Sequence, residues 1–327
     1  MCSAMFGSYP PLLTIARSFL SWAFILLVLF AIGPATAALS GNVADSLGTH
    51  DASLLLSASA LRGLVIGVAI FAITAFVTWF GAYAFTLGIG LTCGGFVLGW
   101  ASYGLGSVER IIRLNGANTN LVLLAIESLV VIMVAAFITV IACRIAEGRQ
   151  PGASNESRRR TPISVFLAAS ALSEDRGAWL KIIAPFAASA AAAALAATLI
   201  AANGLKGQTL FAGVVSGIAA GFAGAYVASA MKSMVWPLVP MLAMALTAAV
   251  GMIVTKFTHG SGLVEAVYAD KLLALGRILP LDWAAGGLIG VPMGMSWRGV
   301  LLDARALEAH STPTDEASPN IATARDV

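Results

Sequence analysis

Charge is scarce in this chain, and the little there is stays out of the long apolar runs. Of 327 residues, 11% are charged and 59% are hydrophobic. A soluble domain of that length needs far more charge to cover its surface, which excludes a water-solvated globule. The net charge of +3 is too small and too local for nucleic acid to be a partner. Cys2, Cys93 and Cys143 are widely spaced, so neither a disulfide framework nor a cysteine metal site is expected. The histidines (His50, His259, His310) fall in loops or the tail, which leaves no Ser–His pair inside an apolar run. HExxH, P-loop and dinucleotide-binding fingerprints are missing. Asp45, His50 and Asp51 are read as solvated loop residues. The expectation is a non-enzyme with no cofactor and no metal.

What is present is hydrophobicity in long blocks. Eight runs lie near 18–39, 62–84, 86–105, 119–143, 182–203, 208–230, 234–256 and 281–297. At about 1.5 Å per residue, some 20 residues cross a hydrocarbon core of roughly 30 Å. Lipid cannot satisfy free backbone groups, so the runs must be helices. The expected fold class is all-α, a polytopic transmembrane helix bundle of about eight spans. Residues 63–105 carry no charge and are too long for one crossing, so a tight hairpin is placed near Gly81 to Thr86. The first run has a second reading. Arg17, the apolar stretch Phe19 to Phe30 and Ala35-Thr36-Ala37 resemble a signal peptide, and cleavage there would leave seven spans.

Positive charge sets the orientation. The stretch 144–181 holds Arg144, Arg149, Arg158, Arg159, Arg160, Arg176 and Lys181, and Lys and Arg favour the cytoplasmic side. With this linker and both termini inside, Lys and Arg number twelve inside and seven outside. The chain is therefore expected as an integral protein of a bacterial inner (cytoplasmic) membrane, linker and C-terminus cytoplasmic. All seven tryptophans fall near proposed span ends, as expected of a headgroup-level belt.

Four segments follow: an N-terminal membrane half, 1–143; a cytoplasmic basic linker with a short amphipathic helix, 144–181; a C-terminal membrane half, 182–300; and a disordered cytoplasmic tail, 301–327. Leu61-Arg62-Gly63 recurs as Leu205-Lys206-Gly207, and Gly81-Ala82-Tyr83 as Gly224-Ala225-Tyr226. The near-constant offset suggests two parallel four-helix halves. Arg158, Arg159 and Arg160 would attract anionic lipid. Leu263 to Arg277 is expected as a surface helix on the outer side.

Small residues carry the sharpest pattern. Gly213, Gly217 and Gly221 recur every fourth position in the sixth run, and Gly286, Gly290 and Gly294 do so in the eighth. Gly90 with Gly94, and Gly95 with Gly99, add pairs in the third. Residues four apart share a helix face, so each set is a groove where a second backbone can approach. The alanine block 187–194 is expected in the bundle interior. Glu127 is the one carboxylate read as well inside a span, where an ionised group must be paired, protonated or wet. It is a candidate proton or cation site; the structural alternative is a bond to Ser, Thr or backbone, or to Arg110 or Arg113. Pro292, between Gly290 and Gly294, is the candidate break or hinge. Asp282 is expected to cap the eighth helix at the outer surface.

Two function classes fit. The leading expectation is a transporter or permease-like bundle for a small solute or ion, with a site at Glu127 and Pro292. The alternative is a structural or accessory scaffold that packs with itself or with partner proteins. The lipid bilayer is the partner common to both.

Overall fold

The computed structural model describes residues 11–43, 53–56, 59–116, 119–147, 176–231, 233 and 236–311. The fold is helical, and no strand occurs among the described residues. A first long helix comprises α1 (Pro11–Leu27), a π-turn (Val28–Ile32) and α2 (Gly33–Gly41). Pro34 has no N–H to give and its ring crowds the preceding turn; the widened π-turn just before it, closed by Gly33 N–H to Val28 C=O, absorbs the mismatch. There follow α3 (Ala60–Ala84), α4 (Leu87–Leu105), the short α5 (Val108–Asn115) and α6 (Leu121–Glu147). The second part holds α7 (Arg176–Ile200), α8 (Lys206–Ala230), α9 (Leu238–His259), the short α10 (Leu263–Tyr268) and α11 (Pro280–Ser311).

Each expected span overlies one of these helices. The hairpin turns at Phe85 and Thr86, where the Thr86 hydroxyl caps α4 by accepting from Ile89 N–H at 3.3 Å. Arg17 ties the first helix to this turn through Nη2 to Phe85 C=O, 2.8 Å. Six helices are long and apolar enough to cross a membrane: Ile15–Gly41, Leu61–Ala84, Leu121–Ala146, Trp179–Ile200, Lys206–Ala230 and Leu238–Tyr268. That is two fewer than expected. The exceptions are α4, diluted by glycine at 88, 90, 94, 95, 99 and 104, and α11, diluted by Gly286, Gly287, Gly290, Gly294 and Asp282. These two are also enclosed by protein. α11 touches α4, α6, α8 and α9, and residues 276–288 are buried throughout.

Helix direction follows from paired contacts. Gly81 meets Gly90, and Gly94 meets Thr78, so α3 and α4 are antiparallel. Gly95 meets Ile289 while Ser102 meets Asp282, so α4 and α11 are antiparallel. Gly213 lies at Asp282, Gly217 at Gly286 and Gly221 at Val291, so α8 and α11 are parallel. The bundle thus has a linker end, with the 85–86 turn and the close of α6, and a loop end, where α5, α10 and the approaches to α6, α8 and α11 gather.

Several expectations are corrected. The alanine block of α7 is not interior: Ser189 and Ala193 are buried against α8 and α9, but Ala187 and Ala191 are exposed. Alanine methyls are apolar, so facing lipid costs them little. Leu263 to Arg277 is not one surface helix. It folds as α10 and a 3₁₀ turn (Ala274–Arg277), with Leu263, Val267, Leu272 and Arg277 buried over the bundle end. Trp283 is fully buried and its indole N–H meets no acceptor among the described residues, so it is no headgroup anchor. The tail begins as helix, since α11 runs to Ser311. Residues 151–175, with Arg158, Arg159, Arg160 and the amphipathic segment, lie outside the described residues, as do 312–327.

The contact between α8 and α11 yields a paired prediction. A β-carbon on Gly290 would stand 2.6 Å from Ile218 N, whereas one on Gly207 would meet no atom within 4 Å. Gly290→Ala should lower the melting midpoint, an overpacking cost of about 1–3 kcal/mol. Gly207→Ala should leave it unchanged or raise it, since alanine gains up to about 1 kcal/mol over glycine in a helix. Thermal unfolding in detergent checks both.

Candidate functional site

Polar chemistry gathers at the loop end in three buried groups. The first is built on Glu127, six residues into α6. The side chain is 2% exposed, and its carboxylate is taken up by residues 53–55. Oε2 accepts from the Ser53 hydroxyl and from Leu55 N–H at 3.1 Å; Oε1 accepts from Leu54 N–H at 3.2 Å. Ser53 Oγ in turn accepts from Leu55 and Leu56 N–H, both at 3.3 Å. A bent segment between the first helix and α3 is thereby hung on one carboxylate, which satisfies backbone donors that the apolar surroundings cannot. Arg110 and Arg113 are not its partners; Arg113 pairs with Glu109 at 3.5 Å on its own helix.

The second group joins three helices. Asp282, in the first turn of α11, is wholly buried. Its Oδ2 accepts from Leu279 N–H at 3.4 Å, the backward half of a capping box. Lys206 Nζ, at the start of α8, lies 3.0 Å from both carboxylate oxygens. Ser102 of α4 donates to Oδ1 at 2.7 Å and accepts from Lys206 at 2.7 Å, and Thr209 donates to Oδ2 at 3.0 Å. The expected cap is therefore present, but inside the protein and not at its surface. Parallel approach of α8 and α11 brings the two helix starts together, and the lysine supplies the opposite charge.

The third group closes the loop end around Arg277, which is buried. Its guanidinium reaches Asp270 at 2.8 Å and Glu109 at 3.7 Å, and donates to Leu272 C=O at 3.0 Å and to Ala202 C=O. One arginine thus ties α5, the 200–205 turn and the 270–277 loop.

The candidate pair from sequence is not brought together. Pro292 stands twelve residues into α11, and α11 is continuous through it, without a break. Both helices start at the loop end, so Pro292 lies about 9 Å deeper than Glu127 at 1.5 Å per residue. The glycines fall on three contacts. Gly217, Gly221, Gly286, Gly290 and Gly294 face backbone across α8 and α11, and Gly213 faces the Asp282 peptide. Gly90 and Gly94 face α3, and Gly95 faces Ile289 of α11. Gly99 meets only Leu210, at 3.4 Å, where a cavity of about 640 Å³ opens between the first helix, α4 and α8.

Sequence reasoning missed Lys206, Ser102 and Thr209 as a unit, and Arg277 as a tie. The signal for the first lay in two glycine grooves that each begin near a helix start bearing one charge. Among the described residues, no group of three His, Cys, Asp or Glu is placed to hold a metal. Asp45, His50 and Asp51 lie outside the described residues.

Breaking a buried ion pair from one side strands the other charge, at a cost of about 3–5 kcal/mol. Lys206→Met and Asp282→Leu should each show that loss. The double variant should recover much of it, a non-additivity that a thermal or denaturant double-mutant cycle reads. Glu127→Gln keeps the shape but loses charged acceptance, so it should cost about 1–3 kcal/mol and speed proteolysis near 53–56. Comparison of the chain with protein-family models, with curated proteins and with solved structures finds no match.

Proposed function

We propose that the protein is a non-enzymatic, eight-crossing accessory bundle of the cytoplasmic membrane, a packed scaffold in preference to a permease. The observation that carries this reading is the occupation of Glu127. The carboxylate that a proton or cation pathway would use already accepts three donors from residues 53–55. The faces that sliding helices would part are closed backbone to backbone, from Gly213 to Gly294. A carboxylate spent on holding a loop, and helices with no side chains between them, favour a rigid body.

Eight crossings are supported by the alternating directions of the helices and by the central position of α4 and α11. A helix wrapped in protein faces little lipid, so it needs less hydrophobicity than its neighbours to lie at membrane depth. Retention of the first helix is supported by its packing. Gly33 abuts Trp100, Ser40 and Ala37 abut Gly104, and the Thr36 hydroxyl donates to Val97 C=O at 3.3 Å, all within or beside the Ala35–Ala37 triplet. Orientation with the linker inside rests on the Lys and Arg of residues 144–181.

Two measurements test the reading. In proteoliposomes, solute and proton flux should equal that of empty vesicles across pH; a flux that Glu127→Gln abolishes would restore the permease. In intact cells, with Cys2, Cys93 and Cys143 replaced, a membrane-impermeant maleimide should label Lys271→Cys and spare Arg159→Cys. The reverse pattern would invert the topology.

A further inference from the structure

The lateral cavity beside the second polar group is used by nothing described so far. It encloses about 640 Å³, within the range of small-molecule sites, about 300–1,000 Å³. Leu29, on the π-turn of the first helix, forms one wall; Gly99, Trp100 and Tyr103 of α4 and Gly207 and Phe211 of α8 form the others. Three features make it a site and not a seam. Glycine at 99 and 207 adds no side chain to the lining, and at Gly207 the space is open for 4 Å. Leu29 sits on the π-turn that precedes Pro34, and such turns recur where a helix is shaped for function. The lining is almost entirely apolar, yet its loop-end limit adjoins Ser102 and Lys206, each next in sequence to a lining residue.

Depth and continuity identify the occupant. From Gly95 to Tyr103 the α4 wall runs eight residues, about 12 Å. That is close to one leaflet of a hydrocarbon core of roughly 30 Å. Of the lining residues, Tyr103 and Phe211 are exposed, so the cavity continues the apolar surface of the long helices. Lys206 is already paired with Asp282, so selection would act through the chain and not through headgroup charge.

We propose that this cavity holds one acyl chain of a bilayer phospholipid, entering sideways from the leaflet at the loop end, with its ester region level with Tyr103 and Lys206. The inference needs the protein to sit in a bilayer but does not depend on whether it carries solute.

The test uses the full chain in phosphatidylcholine vesicles containing a trace of phosphatidylcholine with a diazirine on one acyl chain. After irradiation, adducts are mapped by mass spectrometry. The reference is internal: Leu129, Val130, Met133 and Phe137 line a shallow groove on the outer face of α6. Adducts should concentrate on Trp100, Tyr103, Leu210 and Phe211 over that groove. Gly207→Phe, which fills the cavity from an open position, should remove them and leave α6 labelling unchanged. Equal labelling of both faces, or cavity adducts that survive Gly207→Phe, overturns the proposal. So does displacement of the adducts by a small fraction of polyprenol, which would assign the cavity to an isoprenoid chain. Should Gly207→Phe not fold, Gly207→Leu serves in its place, and the wild-type ratio of the two faces stands without either. Flux is not read in this experiment, so its failure leaves the scaffold reading where it was.

Discussion

Hydrocarbon gives apolar helices no reason to leave it for one another, and this bundle meets that constraint by bringing backbones into contact. Between α8 and α11 two series of three glycines, 213/217/221 and 286/290/294, line the facing surfaces, and each would-be β-carbon points at a partner's carbonyl, amide or α-carbon. Dispersion contacts are weak singly and add up only over close, continuous surfaces. The seam also fixes register, since each of the six glycines must fall opposite partner backbone. Register in turn sets Lys206 against Asp282, and Ser102 and Thr209 complete the group from either side. The polar cluster therefore follows from the packing seam: shifted by one residue, the helix starts would hold two unmatched charges at membrane depth.

The two ends of the molecule solve different problems. At the loop end, backbone that leaves the helices near the bundle core must still satisfy its donors and acceptors. Glu127 serves residues 53–55, and Arg277 serves the carbonyls of Ala202, Asp270 and Leu272. Each is one side chain spent on several main-chain partners, which is how irregular chain is tolerated next to lipid. Toward the linker end α3 and α4 are joined by a two-residue turn at 85–86, capped by Thr86 and tied by Arg17. The cavity beside α4 and α8 opens between the first helix and these two helices.

How far this was readable beforehand varies with the physics. All eight apolar runs became helices, because a bilayer leaves the backbone no other choice and length is written in the chain. The hydrophobicity of each run was a poorer guide to its place. α11 is among the least apolar of the eight and lies at the centre, whereas the alanine block of α7 lies at the edge, because lipid tests apolarity only where it touches. Position at a span end predicts interface roles for Trp283 and Asp282, but packing at the start of α11 buries both. Burial of a carboxyl at Glu127 calls for a hydrogen-bond partner, and the partner is a loop more than 70 residues away in sequence.

By itself, then, the chain determined its solvent, its secondary structure and the faces on which glycine permits close approach, since these are local consequences of composition, run length and four-residue spacing. Which groove meets which, and so which charges meet, was decided only in three dimensions. Pairing of Lys206 with Asp282, or of Glu127 with the Ser53 segment, depends on helix order and register around a common axis, and no one-dimensional pattern encodes a contact between residues that far apart.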